Sequence, residues 1–134
     1  MLKVKNIIFI VLVFLTSCQE HKMYITAHRG ASGHAPENTM SAYLLAIEMG
    51  SDFAELDVQE TSDDVLILYH DKTYDRTAKV SANVWELPYE SIKGFDVGSW
   101  KSEKYKNEPI PLFEDIIDSV DGRMFLNVEI KMNG

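Results

Sequence analysis

A chain of 134 residues with 13 Lys and Arg against 21 Asp and Glu, net charge -8, is too acidic to meet a nucleic-acid backbone by general charge attraction. It is long enough for one small core. Its single cysteine, Cys18, excludes an internal disulfide.

Met1 to Asn6 carries Lys3 and Lys5 and no acid, Ile7 to Leu15 is unbroken apolar sequence, and Thr16, Ser17 and Cys18 follow. That order, basic then apolar then small, predicts a secretory signal over residues 1–17. The apolar run is far shorter than the about 20 residues that span a bilayer. Leu15-Thr16-Ser17-Cys18 resembles the bacterial lipobox, in which the cysteine is acylated. The expected product is an exported lipoprotein, anchored to a membrane through Cys18 on the periplasmic or cell-surface side, with a short tether at 18–22 and a folded domain over 23–134. Removal of the signal takes away two positive charges and leaves the domain still more acidic.

Met23 to Ala27 reads as a short strand ending at His28-Arg29-Gly30, and Gly30, Gly33 and Pro36 break any regular element after it. Arginine offers a planar fork matched to phosphate oxygens, and histidine exchanges a proton near neutral pH, so this strand end suits an anion. A solvated loop would show the same pair. Asn38 is placed to cap a helix whose apolar stripe is Met40, Tyr43, Leu44 and Ile47, with Gly50 as its stop.

Phe53-Ala54-Glu55-Leu56-Asp57-Val58 alternates as a strand does: Ala54, Leu56 and Val58 share an apolar face, Glu55 and Asp57 the other. Two carboxylates about 7 Å apart repel by roughly 2 kcal/mol at an effective dielectric of about 20. Either a cation, an Arg or Lys partner or a shared proton sits between them, or the face is simply wet. Strand, helix and strand form a βαβ unit with parallel pairing as the default. Its strands then end at one edge, so His28 neighbours the acid pair.

Thr61 to Asp64 is a turn, and Val65 to Tyr69 is a second apolar strand ending at His70-Asp71. The connection is too short for a helical crossover, which leaves its direction open. Lys72 to Pro109 is irregular, with Trp85, Tyr89, Phe95 and Trp100 expected to pack it down. A helix is predicted from Pro111 with Leu112, Ile116 and Val120 inward. In the last strand, Met124 to Lys131, Leu126, Val128 and Ile130 share one face while Asn127, Glu129 and Lys131 share the other. A third carboxylate and an ammonium beside the first pair would make an oxygen-rich cation site, although a solvated strand face has the same pattern.

Ala27-His28-Arg29-Gly30, Ala35-Pro36-Glu37-Asn38-Thr39, Glu55-Leu56-Asp57-Val58, His70-Asp71 with Asp75-Arg76-Thr77, and Glu129-Ile130-Lys131, in that order, are together similar to the glycerophosphodiester phosphodiesterase family. The resemblance implies an α/β fold, the N-terminal half of a TIM-type barrel with about four strands and a long connection between strands 3 and 4. A whole barrel of this type takes about 250 residues, so the expectation is a truncated domain. It also implies a divalent cation, Ca2+ or Mg2+, held by Glu55, Asp57 and Glu129. Glycerophosphodiesters would be cleaved to glycerol 3-phosphate and an alcohol, with His28 and His70 as acid and base and with Arg29 and Lys131 on the phosphate. Glu37 and Asn38 would brace the loop around Arg29. Asp63-Asp64 stands where the family commonly has Asp-Gly, a change in the turn and not in the chemistry. The competing readings are a related phospholipase D-like lipase and a non-catalytic membrane-anchored binding lipoprotein or remnant.

Overall fold

Alternation in one strand organises the sheet. In the computed structural model, which describes residues 22–132, β2 (Phe53–Glu60) is the central strand. The expected signal, Cys18 and all but the last residue of the tether lie outside the described residues. β1 (Thr26–Ala27) pairs parallel with the start of β2, and β4 (Phe125–Ile130) pairs parallel along Phe53 to Val58. β3 (Leu66–Leu68) runs antiparallel, with Leu68 opposite Val58 and Leu66 opposite Glu60. The direction that the sequence left open is therefore that of a hairpin. β4 occupies one edge of β2, so β1 and β3 share the other and approach each other head-on. The Tyr69 amide still donates to the Asp57 carbonyl, and β1 stops opposite Ala54. His28 and His70 thus enter the gap beside Glu55 and Asp57 from opposite directions.

Ala54, Leu56 and Val58 are buried against α1 (Met40–Glu48) and α3 (Phe113–Val120), with Tyr43, Ala46, Leu68, Ile116, Val120 and Met124 completing this core. The helices cover one sheet face, and the polar residues of β2 and β4 lie on the other. α1 buries Ala42, Tyr43 and Ala46, whereas Leu44, expected inward, is 39% exposed. Small residues let the helix approach closely: a Cβ on Gly30, which has φ +74°, would lie 2.7 Å from the Ala42 Cβ. The cap of α1 is also corrected by one residue. Thr39 Oγ1 accepts from the Ala42 amide, while Asn38 adopts left-handed φ 54° and turns inward. α3 begins two residues after Pro111, with Leu112 as its cap and Ile116 and Val120 buried as expected.

The connection from Lys72 to Pro109 has a core of its own. Tyr74, Val84, Ile92, Val97 and Ile110 pack with Ile67 and Tyr69, and Trp85, Tyr89 and Phe95 close over them. α2 (Tyr89–Ile92) and two short 3-10 turns, Val84–Glu86 and Glu103–Tyr105, are its regular pieces. β3 divides its side chains between the two cores, Leu68 into the first and Ile67 into the second. Glu108 fastens the connection to α1 by accepting from both the amide and the hydroxyl of Ser41, at 3.0 and 2.7 Å.

β4 is the least covered strand. Of its expected apolar face only Leu126 packs on the core; Val128 and Ile130 are 40% and 73% exposed. No helix among the described residues is long and apolar enough to cross a membrane.

Candidate active site

Three carboxylates meet on the polar face of the sheet. The register places Asp57 opposite Glu129, and Glu55 lies two residues back on the same side of β2. One oxygen from each of Glu55, Asp57 and Glu129 falls within 4.8 Å of the others. Asp57 is fully buried and Glu129 is open to solvent. This is a graded cluster, anchored at depth and accessible from one side.

Asp57 is held on one oxygen and left open on the other. Its Oδ2 accepts from Asn38 Nδ2 at 2.7 Å and lies 3.3 Å from Arg29 Nε. Its Oδ1 lies 2.9 Å from Lys131 Nζ but makes no well-aligned hydrogen bond. A buried carboxylate oxygen with spare lone pairs, facing two further carboxylates, fits a hard divalent cation, which takes oxygen donors at about 2.0 to 2.6 Å. The positive charge that the alternation of β2 demanded is supplied in part by Arg29 and Lys131. Burial works against the charge of Lys131, yet Glu129 and Asp57 outweigh it and hold the ammonium above its ordinary range.

Asn38, expected as the helix cap or as a brace of the loop around Arg29, serves the carboxylate cluster instead. Besides bonding Asp57, its Oδ1 accepts from the Tyr43 hydroxyl at 2.9 Å and from the Asp57 amide at 3.3 Å. Burial, followed by the charges of Glu55 and Asp57, pushes the Tyr43 phenol well above its usual range, so it remains a donor. The amide of Arg29 donates to Glu55 Oε2 at 2.9 Å, which orients that carboxylate toward the cluster. His28 Nε2 lies 3.9 Å from the same oxygen, and the imidazole is largely exposed.

His70 is mounted differently. Its Nδ1 meets Asp71 Oδ1 at 2.7 Å, and Asp71 Oδ2 accepts from Arg76 Nε at 2.6 Å. Burial works to raise the Asp71 carboxyl, but Arg76 and His70 keep it below its ordinary range. An ionised carboxylate only accepts, so Nδ1 carries the proton and Nε2 is the free nitrogen. Gln59, the next inward residue after Asp57 on β2, donates to the carbonyls of Tyr69 and Asp71 at 2.7 and 2.8 Å and clamps the backbone on both sides of His70. Glu37 joins the two subsites: it accepts from Arg29 Nη1 at 3.0 Å and from Arg76 Nη2 and Nη1 at 2.6 and 3.1 Å.

The structure therefore brings His28, Arg29, Glu55, Asp57, Glu129 and Lys131 to one cluster, and it ties His70 to that cluster through Asp71, Arg76 and Glu37. Sequence reasoning gave no role to Gln59, Asp71 or Arg76. Gln59 continues the alternation of Glu55 and Asp57, and Asp71 adjoins His70, so both carried a signal. Arg76 stood in the Asp75-Arg76-Thr77 block, but nothing in the sequence pointed to its bond with Glu37, 39 residues away.

Residues 28–134 match the model of the glycerophosphoryl diester phosphodiesterase family. A glycerophosphodiester phosphodiesterase of Caldanaerobacter subterraneus is 41% identical over 111 residues, covering 82% of this chain and 46% of the relative. The crystal structure of a glycerophosphodiester phosphodiesterase from Agrobacterium tumefaciens superposes with TM-score 0.80 at 36% identity, over 83% of this chain and 48% of that one. A phosphodiesterase from Oleispira antarctica, solved with its product sn-glycerol-3-phosphate, does so with TM-score 0.78 at 35% identity, over 81% and 44%. The chain spans about half the length of the curated relatives it matches.

Proposed function

Because the chain belongs to the glycerophosphoryl diester phosphodiesterase family, we propose that its site serves the metal-dependent hydrolysis of glycerophosphodiesters to glycerol 3-phosphate and an alcohol. The observation that carries this reading is the convergence of Glu55, Asp57 and Glu129 beside two cationic side chains and an imidazole. The product bound to the Oleispira relative supports the substrate class.

In this reading Glu55, Asp57 and Glu129 hold Ca2+ or Mg2+, which supplies charge neutralisation for the phosphoryl oxygens when bound. Arg29 and Lys131 meet the same oxygens from the protein side and hold the diester in place. One of His28 and His70 removes the proton from the attacking hydroxyl, the neighbouring hydroxyl of the substrate glycerol, as its oxygen bonds to phosphorus. The other donates a proton to the departing alcohol oxygen as its bond to phosphorus breaks. Water then opens the cyclic phosphate to glycerol 3-phosphate. His70 enters this step through Nε2, since Asp71 occupies Nδ1.

The test is release of glycerol 3-phosphate from glycerophosphocholine with and without chelator. Release should stop on chelation and fall by about 100-fold or more in His28→Ala; activity indifferent to both would overturn the proposal. A panel including sphingomyelin and lysophospholipid distinguishes the related lipase. The exposed face of β4 favours a second reading for these 134 residues taken alone, a lipoprotein that binds cation without turnover, and calorimetry beside the assay separates the two. Export and acylation at Cys18 belong to the same proposal; labelled fatty acid should enter the protein and fail to enter Cys18→Ser.

A further inference from the structure

We propose that Arg76 is a positioning residue that fixes the tautomer of His70 and links it to the phosphate-facing Arg29. The inference deepens the reading above and rests on it for the role of His70. Every nitrogen of the Arg76 guanidinium is engaged: Nε on Asp71 Oδ2 at 2.6 Å, Nη2 and Nη1 on Glu37 Oε1 and Oε2 at 2.6 and 3.1 Å. The indole of Trp100 lies 5.4 Å from its Cζ, and that ring is itself fixed by a bond from Nε1 to the Val97 carbonyl at 2.8 Å. The plane of the guanidinium is thereby set from two sides.

Asp71 has one oxygen on Arg76 and one on His70, so the arginine decides where the second oxygen points. With the carboxylate locked, the imidazole proton stays on Nδ1, and Nε2 is the nitrogen presented for proton transfer. Glu37 Oε1 is shared with Arg29 Nη1, so the arginine that meets the anion and the arginine that aims Asp71 are braced by one carboxylate. A lysine could not replace this arrangement, because a single ammonium cannot bond Asp71 and Glu37 in the same planar fork.

The test is nitrogen NMR of the imidazoles in the whole protein in alkaline solution, with His28 as the internal reference. His70 should show the Nδ1-protonated form in the wild type. In Arg76→Lys the ratio of that form to the Nε2-protonated form should fall about tenfold. Glu37→Gln keeps its shape and loses the anchoring charge, and it should move the ratio in the same direction. In the turnover assay Arg76→Lys should lower kcat about 10- to 100-fold and change KM by less than about threefold. A His70 ratio unchanged in both variants overturns the proposal. The tautomer is read without turnover, so that result is distinguishable from failure of the hydrolase reading, in which the ratio would shift while no glycerol 3-phosphate is released.

Discussion

The site has two halves built on opposite plans. The carboxylates Glu55, Asp57 and Glu129 stand on adjacent parallel strands whose register brings them together. The imidazole of His70 stands beyond a short antiparallel strand and is aimed by side chains: Gln59 beneath its backbone, Asp71 on its ring and Arg76 behind Asp71. A strand-borne site inherits its precision from the backbone ladder and tolerates the loss of neighbours. A network-borne site is as good as its weakest hydrogen bond.

The contrast can be broken hardest at Gly98. A Cβ there would sit 1.9 Å from the Tyr105 carbonyl oxygen, a backbone atom, so Gly98→Ala should cost about 3 kcal/mol, read from denaturant midpoints. That disturbs the ground on which Trp100 and Arg76 rest, while cation binding, measured where the variant is still folded, should survive. Asp57→Asn is the complementary break. It should weaken Mg2+ or Ca2+ binding beyond about 100-fold in calorimetry, whereas Asp71→Asn should leave that affinity within about threefold and damage turnover instead. Glu108→Ala removes both acceptors from Ser41 at the start of α1 and should cost about 1 to 2 kcal/mol in thermal or denaturant unfolding.

Acid should produce the gentlest effect. Glu37 and Asp71 are held below their ordinary values of 4.5 and 3.8; burial opposes this, and Arg76 with Arg29 or His70 outweighs it. A carboxylate depressed in the folded state stabilises above its unfolded value and loses that contribution as pH falls through the folded one. Stability should therefore be level above about pH 5 and decline below it. Glu37→Gln should flatten that decline, as followed by melting temperature against pH.

What the sequence made legible follows the same division. Period-two alternation placed Glu55, Asp57, Glu129 and Lys131 on the correct face, because side-chain direction in a strand is a local property. The helices around Tyr43 and Ile116 were legible for the like reason. Leu44 was misplaced because Ala42 and Ala46, small and unremarkable in a pattern of large apolar residues, are what let α1 approach the sheet. Asn38 was given to the helix because its type is a frequent cap. Its inward turn depends on Asp57 and Tyr43, which no short window contains. The bonds of Arg76 to Glu37 span too many residues for any periodicity to report them.

β3 is only three residues long, yet successive side chains of it belong to different cores. A wall common to two rooms cannot be taken down from one side. The connection and the sheet should accordingly open as one cooperative unit, with the amides of Leu68 and Tyr69 exchanging with solvent as slowly as those of β2. Substitutions at Ile67 should then lower the unfolding midpoint of the sheet and of the aromatic core together.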